Sequence, residues 1–203
     1  MIAYQFLNTR LNDVLLKKDW RPDFDFTKYF IKCCIYEDMQ AIFDQSFLDK
    51  LNQFSPLKNM MIFCKDPGRG PGIQSQLHTD PRENMGLNFI KPIGQLYQSD
   101  GILRRRNADA GIMHWYTKKP KFDEVTIQTQ FTMASTAVNF YENKDVEFLT
   151  QAKTDDRLIL VSTELPHCIT PAPNTHRICF SFRFHDKTLT TENSIDKLIQ
   201  LGL

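Results

Sequence analysis

Four residues in this chain have types and spacings that could do chemistry. His78 and Asp80 stand two apart in Gln76-Leu-His-Thr-Asp-Pro81, His167 closes Thr163-Glu-Leu-Pro-His167, and Arg177 opens Arg-Ile-Cys-Phe-Ser-Phe-Arg-Phe184. Side chains on a strand repeat every two residues, so His78 and Asp80 share one face and can point at a single ion. Pro81 helps to end that strand, which puts the pair at a strand end. Two imidazoles and one carboxylate on one face of an octahedral ion leave three positions open. A His-x-Asp pair alone is a weak signal. Its weight comes from His167, which follows the apolar run Arg157-Leu-Ile-Leu-Val-Ser-Thr163.

The elements that must position these residues are mostly strands. Strand patterns run over Lys58–Lys65, Gln74–Thr79, Met85–Ile90, Gly111–Tyr116, Val125–Met133, Thr136–Tyr141, Arg157–Ser162, His167–Thr170 and Arg177–Phe184, separated by turn-rich segments. Asp66–Gly72 and Asp100–Ala110 read as loops from their glycines, prolines and charges. Residues 1–57 read as a helical cover. Within them Met39, Ile42, Phe43, Phe47, Leu48 and Leu51 have helical spacing over Glu37–Phe54. Glu192–Leu201 reads as a closing helix in the tail 186–203. The last strand has two faces. Arg177, Cys179, Ser181 and Arg183 share one, which suits a polar cavity; Ile178, Phe180, Phe182 and Phe184 share the other, which the N-terminal helices must cover.

The order His-x-Asp, long gap, strand-terminal His and an Arg ten residues on resembles the Fe(II)/2-oxoglutarate-dependent oxygenases. Residues 157–184 are similar to the smaller bacterial and viral members, with their apolar strand, Leu-Pro-His, turn and Arg-Ile-x-x-Ser-Phe. The resemblance covers roughly residues 58–185. One departure is Asp155-Asp156, where the family often has Gly-Asp. The resemblance implies an all-β core, a double-stranded β-helix or jelly-roll barrel, as a single domain over 1–203. It implies Fe(II) held by His78, Asp80 and His167, with 2-oxoglutarate and O2 as co-substrates. Arg177 would hold the distal carboxylate of 2-oxoglutarate, since a guanidinium can donate two parallel hydrogen bonds to one carboxylate. Ser181, Asn88 and Tyr97 are further candidates for contacts to that co-substrate. The implied reaction releases succinate and CO2 and hydroxylates a substrate, or demethylates or desaturates it. Asp80 argues against halogenation, because halogenating relatives replace that carboxylate with a small residue. The alternative is a metal-binding cupin-like protein without oxygenase activity, such as an isomerase or binding module.

Substrate contacts are assigned to Arg104, Arg105 and Arg106, which would favour an anionic group, and to His114 and Tyr116. The substrate itself is a small molecule, a peptide or a modified base. A net charge of +1 over 203 residues argues against a large nucleic-acid footprint. The five cysteines are odd in number and lack C-x-x-C spacing, which excludes a disulfide framework as the expectation and favours a reducing cytoplasm. No apolar run is long enough to span a bilayer. Sixteen phenylalanines imply an aromatic core.

Overall fold

The structure is a computed structural model. It describes residues 1–17, 20, 30–65, 76–80, 84–94, 96–99, 102–105, 111–120, 128–131, 137–170, 172 and 175–203. The described residues are mostly β, in two six-stranded antiparallel sheets with four helices. In the first sheet the order is β1 (Tyr4–Arg10), β12 (Arg157–Ser162), β5 (Met85–Gly94), β14 (Thr175–Phe184), β3 (Leu57–Lys65) and β2 (Phe30–Cys34). In the second it is β11 (Val146–Lys153), β8 (Ile112–Lys118), β13 (His167–Thr170), β4 (His78–Thr79), β10 (Ala137–Phe140) and β9 (Gln128–Phe131). A separate hairpin joins β6 (Leu96–Ser99) to β7 (Ile102–Arg105). The helices are α1 (Leu11–Val14), α2 (Tyr36–Gln40), α3 (Gln45–Phe54) and α4 (Thr191–Gln200).

The two faces of β14 organise the molecule. Its apolar face packs on the segment from α2 to α3. Phe43 lies 5.5 Å from Phe180 and 5.3 Å from Phe182, and Phe47 lies 5.6 Å from Phe89 (ring centroids). Met39, Leu48, Leu51 and Phe54 extend the same cluster, as their three-and-four spacing requires. The other face of β14 looks toward the second sheet. The sheets meet there through Tyr4 stacked on Trp115 at 4.9 Å, with Ile90, Met113, Ile159, Val161 and Leu165 around them. Helix α4 is capped by a reciprocal pair, Asn193 N–H to Thr190 Oγ1 and Thr190 N–H to Asn193 Oδ1.

Several expectations need correcting. Residues 1–57 are not only helical, because β1 and β2 lie among them as strands of the first sheet. The single helix over Glu37–Phe54 is two helices. The chain turns between them so that Phe43 enters the aromatic cluster, held by backbone bonds from Leu16 N–H to Ile42 O and from Asp44 N–H to Val14 O. The Asp100–Ala110 loop contains strand β7, whose pairing with β6 supplies what local composition does not. Strand β11 escaped the sequence pattern. A bulge between Phe148 and Thr150 breaks its alternation, and most of its residues are exposed. Gln76 and Leu77 do not form a strand, since pairing starts at His78; residues 74–75, 125–127, 132–136 and the Asp66–Gly72 loop lie outside the described residues.

Phe182 is fully buried in the aromatic cluster, whereas Phe148 is 59% exposed. Phe182→Ala should therefore cost about 3–5 kcal/mol, against less than about 1 kcal/mol for Phe148→Ala. Urea unfolding of both variants reads this difference, and equal losses would mean that the helical layer is not packed on β14 as described.

Candidate metal centre

His78 lies on β4 and His167 starts β13, and the two are direct register partners across antiparallel strands. A long sequence separation thus becomes a cross-strand contact. Asp80 follows β4, and its backbone N–H donates to Thr163 O at 3.1 Å, while Thr163 N–H donates to Asn84 O at 3.1 Å. These bonds tie the turn before His167 to the end of β4. The ligating atoms of His78, Asp80 and His167 all lie within 4.8 Å of one another, and the imidazole centroids are 4.5 Å apart.

The donor set fits a divalent ion. His78 Nδ1 lies 2.7 Å from Gln76 O, and His167 Nδ1 lies 2.9 Å from Leu165 O. A carbonyl accepts only, so each Nδ1 carries the proton and each Nε2 keeps its lone pair. The same device, a carbonyl two residues upstream, fixes both rings. Burial, with the neighbouring His78, pulls His167 down to about 4. It is therefore a neutral imidazole near pH 7, the form a metal needs. Arg183 Nη2 lies 3.8 Å from Asp80 Oδ2, with both side chains largely buried.

Arg177 is the most unusual residue in the structure. It is 2% exposed, and none of its three guanidinium nitrogens has a hydrogen-bond partner among the described residues. Burial lowers its pKa from the ordinary arginine value, opposed only by Cys179. An unpaired buried cation is costly, and such a group calls for an anion. Arg177 shares its strand face with Cys179, Ser181 and Arg183, all of them buried. Ser181 is the register partner of Asn88, so both fall on this face, where Asn88 Oδ1 is also without a hydrogen-bond partner. Gly86 lies two residues from Asn88, where an added Cβ would stand 3.3 Å from Val161 Cγ2 and 3.4 Å from Asn88 Oδ1. Its missing side chain leaves space for that amide.

The structure thus brings together His78, Asp80 and His167, with Arg183 against Asp80, and it places Arg177, Ser181 and Asn88 on the strand face that carries Arg183. It does not bring His114 or Tyr116 to them. Trp115 is the register partner of His167, so its neighbours His114 and Tyr116 turn to the opposite face. There His114 Nε2 bonds Thr170 Oγ1 at 3.0 Å, and Tyr116 packs on Phe148. Tyr97, Arg104 and Arg105 have described backbones in β6 and β7, but their side chains and all of Arg106 lie outside the described residues. Sequence reading missed a cavity of about 640 Å³ beside Asp80, bounded by Thr79, Thr117, Lys118, Asn139, Glu164 and Leu165. It lies between the ends of β4 and β8, where β13 has not yet begun. No local motif marks it, since it arises from strand lengths.

His167→Ala should lower Co(II) or Mn(II) affinity at least tenfold by titration calorimetry, and the exposed His185→Ala should leave it unchanged. Equal affinities in the two variants would remove the metal assignment. No protein-family model, curated protein or solved structure matches this chain, so what its chemistry can be is read from the site's own geometry.

Proposed function

We propose that this chain is an Fe(II)- and 2-oxoglutarate-dependent dioxygenase built on a jelly-roll core. One observation carries the reading: a His-Asp-His set within ligand distance is touched at Asp80 by Arg183, whose strand face also bears Arg177, a buried guanidinium without a hydrogen-bond partner among the described residues. A metal site with no organic acid to hold would gain nothing from Arg177, which tells against the cupin-like alternative.

The strand face gives a dicarboxylic acid a place to lie. Arg183, against Asp80, marks the metal end, and Arg177 marks the far end. Six residues separate them, or ~20 Å between Cα atoms, and both long side chains can lean inward. The residues between them on this face, Cys179 and Ser181, are small. In this reading Arg177 binds the distal carboxylate in a bidentate pair, and Ser181 and Asn88 add hydrogen bonds along the chain. His78, Asp80 and His167 would hold Fe(II), and their carbonyl-fixed rings keep the donor atoms aimed. Bound there, Fe(II) supplies the redox chemistry that couples dioxygen reduction to conversion of 2-oxoglutarate into succinate and CO2. Trp115, the register partner of His167, and Leu165 are buried in one apolar cluster.

The cavity beside Asp80 is the place for the substrate to be oxidised. Its volume suits a small molecule or one residue of a larger one. Among the described residues, Lys118 and Glu164 contribute opposite charges to it.

Aerobic incubation with Fe(II), ascorbate and 2-oxoglutarate tests the proposal. Slow substrate-free succinate formation is expected, dependent on Fe(II) and lost in His167→Ala. Tight metal binding without any succinate, across a library of candidate substrates, would contradict it and favour a metal-binding protein that is not an oxygenase.

A further inference from the structure

A thiol lies on the same strand face as Arg177. Cys179 stands two residues from Arg177 on the inward face of β14, with Arg183 on its other side beyond Ser181. Cys179 is 6% exposed, which is closed to large reagents and open to a molecule the size of water. Its register partners are Ile90 and Phe63, neither of which offers a polar side chain. Burial pushes its thiol up, and the two guanidiniums, both within electrostatic reach, oppose that shift. The independent observation is Arg177 itself, two residues away on the same face, whose three nitrogens lack hydrogen-bond partners among the described residues. An anion generated on Cys179 would meet a buried cation already in place.

We propose that Cys179 is a modification site at which two successive oxidations by hydrogen peroxide give a sulfinate paired with the Arg177 guanidinium. In the first step the thiolate sulfur attacks one peroxide oxygen. The S–O bond forms, the O–O bond breaks, and the departing hydroxide takes up the thiol's proton as water. In the second step the sulfenic sulfur attacks another peroxide in the same way, releasing water and leaving –SO2⁻ with one proton lost to solvent. Sulfur is oxidised by two electrons in each step, and each peroxide is reduced to water. Two oxygens on one sulfur match the two-pronged donor geometry of a guanidinium, as a carboxylate does.

The consequence rests on the proposed function. The sulfinate takes the position of the distal carboxylate of 2-oxoglutarate, so oxidation closes the co-substrate site. Because sulfinates resist reduction by thiols, the closure is lasting. Bound 2-oxoglutarate shields the sulfur, so the modification marks protein that has lost its co-substrate.

The test uses the metal-free full chain with a chelator present, treated with hydrogen peroxide with and without 2-oxoglutarate. Peptide mass spectrometry should find a gain of two oxygens at Cys179, suppressed by 2-oxoglutarate. Thermal unfolding should show Tm rising by about 2–4 °C in oxidised wild type, where an ion pair has formed, and falling in oxidised Arg177→Met, where the new anion has no partner. 2-Oxoglutarate affinity should fall at least tenfold on oxidation of wild type and stay unchanged when Cys179→Ala is treated alike. An unmodified Cys179 in protein whose exposed Cys33 is oxidised would overturn the proposal, as would Tm changes of the same sign in wild type and Arg177→Met. If untreated protein reloaded with Co(II) fails to bind 2-oxoglutarate, the proposed function fails, and the mass and Tm readings still decide the role of Cys179.

Discussion

The buried guanidinium of Arg177, unpaired among the described residues, is the constraint on which the rest of this structure turns. A cation taken out of water without a counter-charge costs several kcal/mol even after relaxation. The fold bears that cost on a strand face where Asn88 Oδ1 is likewise without a hydrogen-bond partner among the described residues. Such an arrangement makes little sense as a stabilising core. It makes sense as a site completed by a ligand, whose charge returns on binding what folding gave up.

The opposite face of β14 makes this tolerable. Ile178, Phe180, Phe182 and Phe184 are all buried against the N-terminal layer, and that aromatic packing locks the strand in register with β3 and β5. A strand held so firmly on one side can present strained polar groups on the other without shifting. A one-residue slip would exchange the faces and place four arginine-face groups in the aromatic cluster. Register therefore secures the core and the site at once. Across the gap, His78 and His167 use the same economy: strand pairing brings them together, and local carbonyls orient both rings.

Much of this was legible in the sequence, for identifiable reasons. Period-two alternation in Arg177–Phe184 gave both faces of β14, because burial on both sides leaves a strong pattern. The triad was visible because ligand chemistry restricts residue type and spacing. Where tertiary context decides, the sequence misled. Tyr4–Arg10 and Phe30–Cys34 are strands only because β12 and β3 offer edges for them to pair with. Phe43 breaks a helix whose periodicity runs through it, because its ring is needed in the cluster. His114 and Tyr116 fell on the wrong face, since only the pairing of Trp115 with His167 sets which way β8 faces. The missing partner of Arg177 could not be read from sequence at all, because it is a property of what surrounds the side chain.

The central claim, that Arg177 trades stability for an anionic ligand, is tested most directly by measuring urea unfolding of wild type and Arg177→Met, each with and without Co(II) plus 2-oxoglutarate. The account expects the unliganded variant to be more stable than wild type by about 1–4 kcal/mol, since a buried charge has been replaced by an apolar chain of similar length. It expects added 2-oxoglutarate to stabilise wild type well beyond Co(II) alone and to do nothing for the variant. A variant that is less stable than wild type, or that is stabilised equally by 2-oxoglutarate, would contradict it.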